Sequence, residues 1–248
     1  MIKFFQHIRQ RLLGENRFSK YLLYALGEII LVVIGILIAL QINNWNEHKK
    51  QQAEEQRILK KLKIDVENDT LQLISHIQKS EKRIQLLESL MKTLSENNGT
   101  DILDFINDGI NSIGYENYFR VNSGTYDESV AAASIKFIAN DSLRQNIFNY
   151  YRDARINYTD NNSAQQVYRD IYPVFWKKLM ATKDVMDMMQ VPSKLPAIDL
   201  LSLAEDGEFM AMIMQKIGLE YNQKDEWYRF LERAKTIQSQ IESELIDD

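Results

Sequence analysis

The order of apolar and polar positions divides the chain into one unbroken apolar run, one long amphipathic stripe and several shorter amphipathic stretches. Between Tyr21 and Ile42 only Glu28 and Gln41 interrupt an apolar segment of about 20 residues, the length a bilayer core requires. Tyr21 and Tyr24 stand at one end and Trp45 at the other, where interfacial aromatics belong. Beyond Trp45 the chain turns highly charged. Within it Leu59, Leu62, Val66, Leu73, Ile77, Ile84, Leu87, Met91 and Leu94 return at steps of three and four, with no Gly or Pro before Gly99. This predicts one helix that leaves the apolar run, continues as a stalk, and stops at Gly99 as a C-cap glycine. Polar residues break the stripe around Asp69 and Ser80, which favours a helix of an intramolecular bundle over a coiled-coil seam.

The remaining elements are read from caps and breakers. Asp101 caps a short helix with Ile102, Leu103, Phe105 and Ile106 as its apolar face. Thr125 caps a second, with Glu128 three residues on as its capping-box partner. Asn140 or Asp141 starts a third helix that runs to about Thr182, and Pro173 kinks it or marks a boundary. Pro192 and Pro196 bracket a loop, and Asp206 caps a last helix bearing Phe209, Ile213, Ile217, Trp227, Phe230 and Ile237. No stretch alternates as a strand does. The expected fold is all-α: an N-terminal transmembrane helix, a stalk, and an antiparallel bundle of three long and two or three short helices. The expected division is a basic amphipathic cytoplasmic tail at 1–20, a transmembrane helix at 21–42, and an extracytoplasmic bundle with its stalk at 43–248.

Composition agrees with long helices, since nine Gly and three Pro are few for 248 residues. A net charge of -5 argues against nucleic acid as a partner, because phosphate contacts need a basic surface. The absence of cysteine removes disulfides, thiolate catalysis, Cys-ligated metals and a lipid-modified N-terminal Cys. No small-x-small cleavage site follows the apolar region Ile29–Leu40, so an uncleaved signal anchor is expected. The tail carries Lys3, Arg9, Arg11, Arg17 and Lys20 against Glu15, whereas basic residues on the other flank are mixed with Glu47, Glu54 and Glu55. That bias places the N-terminus in the cytoplasm. Ile2, Phe5, Ile8 and Leu12 lie at helical intervals, which suits an interfacial helix or serves only the topology.

Glu28 belongs to a stripe: Ala25, Glu28, Val32, Gly35, Ala39 and Ile42 follow in steps of three and four. Gly35 and Ala39 form a small-xxx-small pair that lets another helix approach. Three readings stand for the carboxylate: pairing within a self-association or partner interface, snorkelling to the nearby headgroups, and proton conduction. Outside the membrane segment the candidate is "SGTYDES", where Tyr126, Asp127 and Glu128 either meet a small ligand at a helix N-terminus or simply cap and pack. Aromatics gather in "YENYF", "FNYY" and "EWYRF", as pocket walls or, more commonly, as core. His7, His48 and His76 are far apart and no HExxH, phosphate loop, GxGxxG or GxSxG occurs, so no metal, cofactor or catalytic residue is expected.

"KYLLYALGEIILVVIGILIALQINNWNE", "GTYDESVAAASIKFIANDSLRQNIFNYY" and the acid–Phe pair before the last helix resemble a bacterial family of single-pass membrane proteins, domain of unknown function 6090. The resemblance implies this architecture and a bacterial inner-membrane location, and it implies no activity. The expected function is a non-enzymatic membrane-anchored scaffold or sensor-like module acting through helix association, its partners the bilayer and either itself or another membrane protein. The alternative is a subunit of an ion-driven complex with Glu28 as its titrating carboxylate.

Overall fold

The computed structural model describes residues 18–96 and 118–246, except the side chains of 18–21, 157–168 and 170–172. The expected tail helix, the Gly99 cap and the short helix from Asp101 fall outside the described residues. Every described regular element is helical, in agreement with the all-α expectation. In order they are α1 (Phe18–Glu96), α2 (Gly124–Ala131), a 3-10 turn (Ile135–Phe137), α3 (Asp141–Phe175), a π-turn (Trp176–Met180), α4 (Lys183–Met188), α5 (Leu200–Glu205) and α6 (Gly207–Glu244). The chain forms two compact units, Met1–Glu54 and Glu55–Asp248.

In the first unit α1 is long and apolar enough to cross a membrane. An 18-residue window reaches a mean hydropathy of 2.7, and none of it is buried in the fold. A soluble helix would put such a run in a core. Here Leu23, Ile29, Leu31 and Leu37 are all more than half exposed.

The second unit is a bundle whose core follows the predicted stripe. Leu59, Leu62, Val66, Leu73, Ile77, Ile84, Leu87 and Leu94 are all buried, and Met91 is half-buried. α6 returns antiparallel along α1. Gln56 Nε2 donates to the Glu244 carbonyl (2.9 Å), Lys63 pairs with Glu242 (3.0 Å), and Tyr221 Oη donates to Glu88 (2.9 Å). α3 starts as expected, with Asn140 Oδ1 accepting from Leu143 N (3.0 Å). It passes through Pro173 without ending. Just beyond it Ala181 N donates to Trp176 O (3.2 Å), a five-residue step that makes the π-turn.

Two single-turn helices flank the proline loop, and the sequence pattern did not anticipate them. They exist because the loop folds back on itself: Lys183 N donates to Pro196 O (2.8 Å) and Ile198 N to Asp184 Oδ2 (2.6 Å). Asp206 caps α6 as expected, accepting from Glu208 N and Phe209 N at 3.1 Å each.

Candidate functional site

On the apolar part of α1, Ala25, Glu28 and Val32 line a shallow cavity of about 370 Å³ together with Ile29 and Val33. Ala25 and Glu28 are half-buried, while Val32, Gly35 and Ala39 are exposed. A Cβ built on Gly35 meets nothing within 4 Å, so no packing among the described residues calls for a small residue there.

The "SGTYDES" segment is arranged differently from its sequence reading. Thr125 does not cap α2, and no capping box forms. The helix begins at Gly124, and its Ser123 cap makes no side-chain bond to the helix amides. Ser123 Oγ instead donates to Asp127 Oδ2 (2.7 Å). The amide of Thr125 donates to Asp65 Oδ2 on α1 (3.2 Å). A carboxylate from a neighbouring helix has taken the place of the local cap, satisfying a first-turn amide and the helix dipole at once. Glu128, the expected capping partner, is left exposed and pairs with Lys61 (3.3 Å) and Arg57 (3.9 Å).

The three candidate ligand residues therefore face different surroundings. Tyr126 is buried and stacks on Tyr151 with centroids 4.5 Å apart. Asp127 holds the Arg155 guanidinium and the Ser123 hydroxyl. Those hydroxyl and guanidinium bonds, led by Ser123, hold its carboxyl below the usual aspartate range. Glu128 faces the basic side chains of α1. The remaining aromatics interlock as core: Phe119 lies 5.7 Å from Phe230, and Tyr150 meets Tyr151 and Phe230 edge-on.

Sequence reasoning passed over the carboxylate at the centre of this arrangement. Asp69, one turn beyond Asp65 on α1, is fully buried. Its Oδ1 accepts from Asn122 N (2.8 Å) and Asn122 Nδ2 (2.6 Å), and its Oδ2 accepts from Tyr150 Oη (3.0 Å). Gln72 Oε1 adds the Arg120 amide (2.8 Å). Asp65, Asp69 and Gln72, on successive turns of one helix, thus pin the segment 120–125 by its backbone. Burial pushes the Asp69 carboxyl up to about 6, although the Asn122 and Tyr150 bonds oppose it. The same burial, next to Asp69, pushes the Tyr150 and Tyr151 phenols far above their ordinary value.

A second buried polar group joins α1 to α6. Glu220 accepts Arg83 Nε at Oε1 (2.8 Å), Arg83 Nη2 at Oε2 (2.9 Å) and Ser80 Oγ at Oε2 (2.7 Å), while Lys216 Nζ lies 3.0 Å from Oε1. Burial alone would raise this carboxyl. The Arg83 bonds and the Lys216 charge outweigh it and hold the group below its usual range. The sequence signal for both groups was the interruption of the apolar stripe at Asp69 and Ser80. His76 lies between them on α1, its ring 5.2 Å from Trp227, and neither ring nitrogen finds a hydrogen-bond partner among the described residues. Burial, with Lys79 and Arg83 nearby, lowers its pKa to about 4 and keeps it neutral. Among the described residues no group of three or more His, Asp or Glu is placed to hold a metal ion.

Residues 28–171, more than half of the chain, match a single sequence family. The chain belongs to DUF6090, a family of unknown function. The DUF6090 region opens at Glu28 and takes in the rest of the apolar run, the Asp65–Asp69 clamp with its partners Asn122 and Tyr150, and nearly all of α3. It contains Ser80 and Arg83 but not Lys216 or Glu220, so the second buried group extends beyond the DUF6090 match. No curated protein and no solved structure matches the chain.

Proposed function

We propose that this DUF6090 chain is a membrane-anchored, non-enzymatic helical module, a scaffold or sensor-like device that acts through helix–helix association. One observation carries the reading: the apolar segment of α1 has the length and hydropathy of a membrane span, and no part of its most apolar 18-residue window is buried in the fold. Its association face is the stripe Ala25, Glu28, Val32, Gly35 and Ala39, where small residues admit a second helix and a carboxylate supplies a polar contact. The occupant of that face is a second copy or a partner membrane protein within the bilayer, and the reading requires no cofactor and no nucleic acid. The basic tail supports a cytoplasmic N-terminus and an extracytoplasmic bundle, and the family resemblance supports a bacterial inner membrane. The polar clusters of the bundle support a structural rather than a catalytic role, because their donors and acceptors are already spent on one another. Gly35→Cys, crosslinked in membranes, is expected to give a disulfide dimer or a heterologous adduct. Leu37→Cys, two residues on and about 200° round the helix, is expected to give far less. Strictly monomeric behaviour of both variants counts against the association face.

A second reading is favoured by the position of Glu28 at the edge of its cavity. In it the chain is a subunit of an ion-driven complex and Glu28 takes up and releases protons. Dicyclohexylcarbodiimide, an apolar reagent for protonated carboxyls, is then expected to modify Glu28 in membranes with a rate that titrates with pH. No modification, or a rate indifferent to pH, sinks this role and leaves the anchor intact.

A further inference from the structure

Among the described residues the second unit divides into two buried apolar clusters. One apolar cluster contains Ile58–Ile77 positions of α1 and Trp227–Ile241 positions of α6. Another contains Leu87, Leu90 and Leu94 of α1 with Phe209, Met212 and Ile213 of α6, closed by Phe175 and Leu179. α1 therefore leaves the first cluster at Ile77 and enters the second at Leu87. α6, running the other way, has its last fully buried residue of the second cluster at Ile213, with Ile217 and Leu219 partly buried against it, and enters the first at Trp227. Both gaps are filled by the Ser80–Arg83–Lys216–Glu220 group, whose members are 0%, 3%, 4% and 1% exposed. The bonds between them put the two gaps at the same level of the bundle. Ile84, also buried, belongs to neither cluster.

We propose that this ionic layer is a joint: the two apolar clusters are separate cooperative blocks, and the block beyond the layer opens while the other stays folded. The physical reason lies in what each possible break exposes. Parting an apolar core wets hydrocarbon, which is unfavourable in proportion to the area exposed. Parting the layer returns a guanidinium, an ammonium and a carboxylate to water and so recovers their desolvation cost. The layer is therefore the cheapest place for the bundle to separate, and packing cooperativity stops there. Among the described residues the second cluster is the smaller, and it takes in Leu179 of the π-turn and has Ile198, at the end of the proline loop, packed against it, so it is the block that opens. A joint of this kind lets the module change shape while its first block remains intact, which a rigid scaffold cannot do. The proposal stands independently of the membrane reading.

Hydrogen exchange of the full chain in detergent micelles, followed by mass spectrometry at increasing denaturant, tests it. Amides of 86–96 and 207–219 are expected to share one opening isotherm, and those of 58–77 and 227–241 another that is at least about tenfold better protected. Replacing the layer by apolar side chains (Ser80→Ala, Arg83→Met, Lys216→Met, Glu220→Met) is expected to merge the two isotherms. A single isotherm in the wild type, or two that persist unchanged in the variant, overturns the proposal. If the quadruple variant does not fold, Glu220→Gln decides. Faster exchange confined to 86–96 and 207–219 supports the joint, whereas equal acceleration in both blocks, or none in either, overturns it.

Discussion

Asp69 interrupts an otherwise apolar stripe on α1, and its surroundings explain both its placement and its chemistry. Three donors from Asn122 and Tyr150 satisfy its oxygens, while exclusion from water makes the ionised form costly. Its carboxyl titrates at about 6 in the fold against 3.8 when exposed, so folding favours the protonated form. Its contribution to stability is complete below about pH 4 and is lost as pH rises through about 6. Asp69→Asn keeps an acceptor for Asn122 and is neutral throughout. Relative to the wild type, the variant is expected to gain about 2 kcal/mol between about pH 4.5 and about pH 7, read from denaturant unfolding of the full chain at each pH. A stability difference that does not change with pH would show that Asp69 titrates as an ordinary aspartate. Glu220 is depressed rather than raised, so its contribution has the opposite sign: present above the ordinary glutamate range and lost on acidification. The two buried carboxylates therefore pull the pH profile in opposite directions, and the comparison with the Asn variant isolates one of them.

Helix starts show where local sequence suffices and where it fails. Asp206 and Asn140 cap α6 and α3 with their own side chains, and both were legible as polar residues ahead of an apolar periodicity. α2 has an equally good signature in Thr125 and Glu128, yet its first-turn amide goes to Asp65, sixty residues away along the chain. The distant carboxylate wins because it satisfies the amide and ties α2 to α1 in one bond. Asp206 combines both roles, since it caps α6 and also pairs with Lys178 of the π-turn. Asp206→Ala is expected to lower stability, with faster hydrogen exchange at Glu208 and Phe209, while Asp206→Asn keeps most of the cap and loses only the ion pair. Equal losses in the two variants would assign the stabilisation to Lys178 instead.

Across the whole molecule, the sequence by itself determined the helical class, the long apolar segment, the long stripe of α1 and the caps of the last two long helices. Each is a statement about neighbours three or four residues apart, and helical geometry turns that spacing directly into a shared face. The membership of Tyr126, Tyr150 and Tyr151 in a core rather than a pocket was weighed from composition and decided by packing. Only the tertiary structure decided what the breaks in the stripe are for. Asp69 is explained by Asn122 and Tyr150, and Ser80 and Arg83 by Glu220, partners 53 to 140 residues distant in sequence. A buried charge is tolerated only where its partners converge on it, and convergence of remote residues is set by how helices pack rather than by any local pattern. The same limit applies to the division of the core: a polar position on each of two helices looks like two separate irregularities until the antiparallel pairing brings them to one level. Periodicity could locate the interruptions, and three-dimensional packing turned them into a clamp and a layer.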